Sequence, residues 1–180
     1  MNAHITEYGH RRWTLKLAVL FQIGVLLSLA VPPVVTLHSG KAICVETVPV
    51  DPWNMFRGDY IRLGYDFGRV TMPNNVDSGE PVYVTLGKDE TGKWQVTSAG
   101  TERPAPRPGQ VVLRGVAEYG SAASIPVKFG IEQVFVPEGK GKRFSSADRL
   151  KVDLTVDDQG RAVIKRVRAG DEEIYRLRLI

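Results

Sequence analysis

The sequence predicts a mainly β protein: one N-terminal transmembrane helix followed by an exported β-sandwich or partly open barrel of roughly eight strands. Three observations carry that expectation. Residues 17–37 form a run of 21 uncharged positions, the apolar pattern downstream of residue 41 alternates with period two, and clusters of Gly, Pro, Asn and Asp separate the alternating runs.

The uncharged run is long enough to cross a hydrocarbon core of about 30 Å. Cleaved secretory h-regions extend for about 7–15 residues, so this one reads as an uncleaved signal anchor, although Gly40 and Ala42 would suit a cleavage site. His10, Arg11, Arg12 and Lys16 precede it, and Lys41 alone follows closely. The positive-inside rule then keeps residues 1–16 in the cytoplasm and exports residues 41–180. Tyr8 and Trp13 suit the inner interface, and Pro32 and Pro33 are expected to end or bend the helix near its outer end.

Past the span, "AICVETVPV" alternates loosely, and "DYIRLGYDF" puts Ile61, Leu63, Tyr65 and Phe67 on one face and Tyr60, Arg62, Gly64 and Asp66 on the other. "PVYVTL" and "KWQVTS" read as strands joined by "GKDETG", and "QVVLRGVAEYG" as a fourth long one. "PVKFGIEQVFVP", "LKVDLTV", "RAVIKRV" and "EIYRLRLI" complete the set, with "DDQG" as a hairpin turn. A short helix is expected at "SSADRL", capped by Ser145 or Ser146.

Several chemistries lose support on inspection. The net charge of +4 is spread over alternating strand positions and forms no nucleic-acid stripe. "GKDETGKW" begins like a phosphate-binding loop, but Trp94 stands where Ser or Thr would hold magnesium, and a strand follows where a helix is needed. His4, His10 and His38 lack metal-ligand spacing with one another or with Cys44, so neither a metal nor another cofactor is expected. Cys44, the single cysteine, follows Ile43 where a lipoprotein signal requires a small residue; it is expected as a buried thiol in a strand.

Two stretches remain. In "VDPWNMFRGDYIRLGYDF" (residues 50–67), Asp51, Pro52, Gly58 and Asp59 suit a tight corner, because Asp side chains accept local backbone bonds and Gly opens backbone angles closed to other residues. Trp53, Arg57, Tyr60 and Arg62 have no internal duty and stand as candidate interaction residues, Tyr and Arg being favoured interface anchors. In "FVPEGKGKRF" (residues 135–144), Lys140, Lys142 and Arg143 form a cationic loop suited to anionic headgroups or an acidic partner face. A catalytic alternative would use Ser39, Asp51 or Asp59 in a membrane-bound hydrolase, signal-peptidase-like or carboxylate-based. It requires those side chains to meet in one pocket, and the segment "VDPWNMF" before the motif strand lacks the serine that a signal-peptidase-like site needs alongside its lysine base.

"GDYIRLGY", Gly58 to Tyr65, fits without mismatch the pattern Gly-Asp-Tyr-x-x-Leu-x-Tyr, and on it the chain resembles the GDYXXLXY family of bacterial membrane-anchored proteins. "VPVDPWNMFR", "VYVTL" with its Gly-Lys-Trp hairpin, "VVLRGV" and "GIEQVFVPEGKG" are similar to family segments in the same order, so the resemblance covers most of residues 41–170. It implies a single span and an exported β-rich domain, supplies no catalytic residues, and implies a multi-spanning membrane protein as partner. The expected function is therefore that of a non-catalytic, membrane-tethered docking domain. A periplasmic sensor or small-ligand module is the other alternative to the hydrolase.

Overall fold

In the computed structural model, residues 4–48, 60–72, 75–119, 124–136 and 149–177 are described. The chain divides into two units, Met1–Val35 and Thr36–Ile180. The first unit consists of most of helix α1 (His4–Ser39), within which Trp13–Ser39 is long and apolar enough to cross a membrane. From Trp13 to Val35 its described apolar side chains are exposed on all sides, as a lipid-facing helix requires.

Of the two effects expected of Pro32 and Pro33, ending the helix does not occur. Pro32 and Pro33 remove the N–H donors that would reach the carbonyls of residues 28 and 29, and leave the bonds of the following turn intact. The helix instead runs to Ser39, and Gly40 closes it by donating to the Thr36 carbonyl at 3.0 Å. A Cβ on Gly40 would lie 2.5 Å from the Thr36 oxygen and 2.8 Å from that of Val156, so only glycine fits this corner.

The second unit is a nearly closed barrel-like sheet. Its strands are β1 (Lys41–Glu46), β2 (Tyr60–Arg62), β3 (Arg69–Val70), β4 (Pro81–Lys88), β5 (Trp94–Gly100), β6 (Val111–Ala117), β7 (Ile125–Lys128), β8 (Gln133–Phe135), β9 (Lys151–Val156), β10 (Ala162–Ala169) and β11 (Glu172–Arg176). They pair in the orders β1-β9-β10-β11, β2-β8 and β3-β7-β6-β4-β5, every pair antiparallel. The "DDQG" turn packs its tip on β6, where the Arg114 N–H donates to the Gly160 carbonyl at 2.7 Å and joins the first sheet to the third. Alternation fills the interior: Val82, Val84, Leu86, Leu113, Ile125, Leu154 and Val167 are fully buried.

Eleven strands among the described residues exceed the roughly eight expected, in part because two runs are broken. "PVKFGIEQVFVP" divides into β7 and β8 at a turn where Gly130 has φ +80° and the Glu132 carboxylate accepts from the Phe129 and Gly130 N–H groups. The motif run pairs with β8 as far as Arg62, meets Val48, just past β1, through an isolated Val48–Gly64 bridge, and coils into a 3-10 turn at Asp66–Gly68. The helix expected at residues 145–150 lies largely outside the described residues.

Candidate functional site

The motif strand divides by face. Ile61, Leu63, Tyr65 and Phe67 are all buried, the dry rail that period two requires. The Tyr65 hydroxyl donates to the Ile131 carbonyl at 2.8 Å, and its ring stacks on Phe67 with centroids 4.8 Å apart. Phe67 in turn meets Phe129 edge-on at 5.5 Å. Burial, seconded by the nearby Glu132 carboxylate, pushes the Tyr65 phenol far above its ordinary value, so it remains a donor at any physiological pH. The Leu and final Tyr of Gly-Asp-Tyr-x-x-Leu-x-Tyr are thus core residues that fasten the motif strand to the turn before β8.

The outer face carries what the core does not use. Tyr60 lies directly opposite Phe135 and Arg62 opposite Gln133 across the β2–β8 ribbon. The Tyr60 and Phe135 rings are 6.5 Å apart and tilted by 58°, and Phe135 is 68% exposed, so the aromatic pair faces outward. Arg62 is exposed on the same face, near enough to Lys128 to act on its charge. Phe135 was absent from the sequence-level candidates. Alternation in "QVFVP" puts it opposite in face to Val134 and Val136, but only strand pairing reveals that the two unusual stretches meet side by side.

A second feature is a cleft of about 380 Å³ between β1 and the β4–β5 hairpin tip. Residues 44–48 form one bank, Lys93 and Trp94 the other, and Phe67 lines it between them. Lys93 spans the gap to Glu46 at 3.4 Å. Trp94 is flanked by the ammonium groups of Lys41 and Lys88, 6.0 and 5.3 Å from its ring centroid. The hairpin tip is ordered by Asp89, which accepts from the Thr91 and Lys93 N–H groups at 2.8 and 2.9 Å, in keeping with "GKDETG" as the connection between two strands.

Cys44 corrects an expectation: it lies in a strand, as anticipated, but its side chain is exposed. Ile43 and Val45 take the inward positions, so the same alternation that buries them turns Cys44 out, opposite Asp153. Partial burial and a hydrogen bond to the Asp153 carboxylate push the thiol up. Burial also works against the Asp153 carboxylate, but bonds from Arg166 (2.7 Å), Cys44 and Arg168 (3.0 Å) outweigh it and hold its pKa low. A thiol beside a carboxylate keeps its proton and is a poor nucleophile.

A sequence profile of the GDYXXLXY protein family matches residues 22–167. The chain belongs to this family. No curated protein and no solved structure matches it.

In this GDYXXLXY protein the described part of the signature, Tyr60 to Tyr65, contributes two kinds of residue: Leu63 and Tyr65 to the core, Tyr60 and Arg62 to the surface. Asp51, Pro52, Trp53, Arg57, Gly58 and Asp59 lie outside the described residues, as do Lys140, Lys142 and Arg143. Ser39 ends α1 at the start of β1, whereas the cleft borders the far half of that strand, so Ser39 takes no part in it. Among the described residues no three His, Cys, Asp or Glu side chains are grouped as a metal site would group them.

Proposed function

We propose that this GDYXXLXY protein is a non-catalytic accessory domain, tethered by α1 to a bacterial inner membrane with its β domain exported, that docks on a multi-spanning membrane protein. The observation that carries the reading is the outward Tyr60–Phe135 pair with Arg62 beside it. A buried ladder would have hidden these rings. Aromatic and arginine side chains held by a sheet lose little entropy on binding and are the usual anchors of protein interfaces. Arg11, Arg12 and Lys16 before the span, with Lys41 alone after it, support the orientation.

The test is site-specific photocrosslinking from position 60 in native membranes, followed by identification of the adduct. A polytopic protein is expected, with the yield falling about tenfold in Phe135→Ala, the loss of one hot-spot side chain. Adducts with lipid alone, or a yield indifferent to Phe135, would refute the reading.

A further inference from the structure

We infer that the seam between β1 and the β4–β5 hairpin accepts an extended segment of a partner protein as an added β-strand, and that this segment alternates apolar and acidic residues. The surface is distinct from the Tyr60–Phe135 face, and the inference does not depend on that face being a docking site.

Backbone parity carries the argument. Among the described residues β1 is the edge strand of its sheet and pairs only with β9. The Thr47 N–H donates to the Leu150 carbonyl at 2.8 Å, so Thr47, and with it Val45 and Ile43, turn their backbone groups toward β9. Cys44, Glu46 and Val48 therefore turn theirs to the opposite edge. Val48 finds a partner there, donating to the Gly64 carbonyl of the motif strand at 3.0 Å. The motif chain then leaves in its 3-10 turn, and the N–H and C=O groups of Cys44 and Glu46 have no backbone partner among the described residues.

The cleft lies along this open edge. Five consecutive residues, Cys44 to Val48, line it although their side chains alternate between faces, which requires that it follow the strand's backbone edge. An edge strand with unpaired backbone groups is a template for another strand, and side-chain contacts at alternate positions then supply selectivity. Here Gly64 has already begun the pairing at one end, and among the described residues no strand continues it along Glu46 and Cys44.

Charge sets the kind of segment. Inward side chains of an added strand would meet Val45 and Phe67, which calls for apolar residues. Outward ones would lie beside Glu46, whose charge Lys93 takes up at 3.4 Å, and within side-chain reach of Lys151 and Arg149 on the far side of β1. Neither Lys151 nor Arg149 has an ion-pair partner among the described residues. Three cations against Glu46 and Asp66 leave the cleft net positive, so a carboxylate at every second position is favoured.

The experiment uses the full-length protein in lipid nanodiscs and an end-blocked, fluorescein-labelled peptide of alternating valine and glutamate, titrated by anisotropy. Comparison peptides are a valine–lysine version and two valine–glutamate versions N-methylated at alternate residues, one in each phase. Saturable binding is expected for the valine–glutamate peptide. It should weaken about tenfold for the valine–lysine peptide and in Arg149→Glu/Lys151→Glu, and disappear in at least one N-methyl phase. Amide exchange at Cys44 and Glu46 should slow at least about tenfold in the complex. The inference is overturned by absence of saturable binding, by binding without slowed exchange at those two amides, or by indifference to both N-methyl phases. Amides already protected in the free protein would overturn it as well, because the chain's own residues would then occupy the edge.

Discussion

Replacing Tyr65 by phenylalanine removes one hydroxyl from the barrel's interior and leaves the ring. That hydroxyl donates to the Ile131 carbonyl at 2.8 Å, and Tyr65 is only 6% exposed, so water cannot replace the lost donor. A buried carbonyl left without its partner costs about 1–2 kcal/mol. Tyr65→Ala also removes the ring stacked on Phe67 at 4.8 Å, and truncating a core aromatic to alanine costs about 3–5 kcal/mol more. Against a domain stability of about 5–15 kcal/mol, the first variant should fold and the second should be partly unfolded. Urea-dependent pulse proteolysis of the full chain in mild detergent reads the unfolded fraction directly. The phenylalanine variant should shift the midpoint modestly and the alanine variant drastically. Equal destabilisation by the two, or a phenylalanine variant indistinguishable from the parent, would refute the role assigned to this tyrosine.

Three further outcomes follow from the geometry. Asp157 accepts from the Thr36 hydroxyl and the Arg161 guanidinium, both at 2.7 Å, and from the Arg161 N–H at 2.9 Å; burial opposes its charge, but these bonds prevail and depress its pKa. A depressed carboxyl stabilises the fold above its unfolded pKa of about 3.9 and loses that contribution as pH falls through the folded value, so Asp157→Asn should cost about 1.5–3 kcal/mol at neutral pH. The gap to the parent should close in acid, as thermal melts at a series of pH values would record. Gly40→Ala forces a Cβ against two backbone oxygens and should destabilise by about 1–3 kcal/mol, whereas Gly68→Ala, with no heavy atom within 4 Å of its Cβ, should cost far less in the same melts. Cys44 should react with maleimide in the folded protein because it is exposed, but slowly near neutral pH because its pKa is raised. The rate should climb with pH, and Asp153→Asn should accelerate it, measured as a time course of mass shift.

Much of the fold was legible because it depends on local pattern. The apolar run of residues 17–37, the alternation of Ile61, Leu63, Tyr65 and Phe67, and the turn residues of "GKDETG" and "DDQG" each declare themselves within a few positions. Where pattern competes with longer-range geometry it failed. Cys44 is a small apolar residue in a strand, and only the parity imposed by Ile43 and Val45 decides that it faces out. Pro32 and Pro33 look like a helix end, yet the corner is set by Gly40 against Val156, more than a hundred positions away. Of the candidate interaction residues, Tyr60 and Arg62 fall on the outer face as alternation required. Their neighbour Phe135 emerged only from the β2–β8 register.

By itself, then, the sequence determined the composition of each strand, the membrane-length helix and the signature of the GDYXXLXY family, since hydrophobic period, turn chemistry and a contiguous motif are properties of neighbouring residues. Tertiary structure decided which edges meet. It put the motif strand beside β8, bringing Tyr60 to Phe135, and left the edge of β1 away from β9 with no partner strand among the described residues at Cys44 and Glu46, next to Trp94 and Lys93. Strand pairing joins residues remote in sequence through backbone groups that every residue shares, so side-chain identity along the chain carries little record of it.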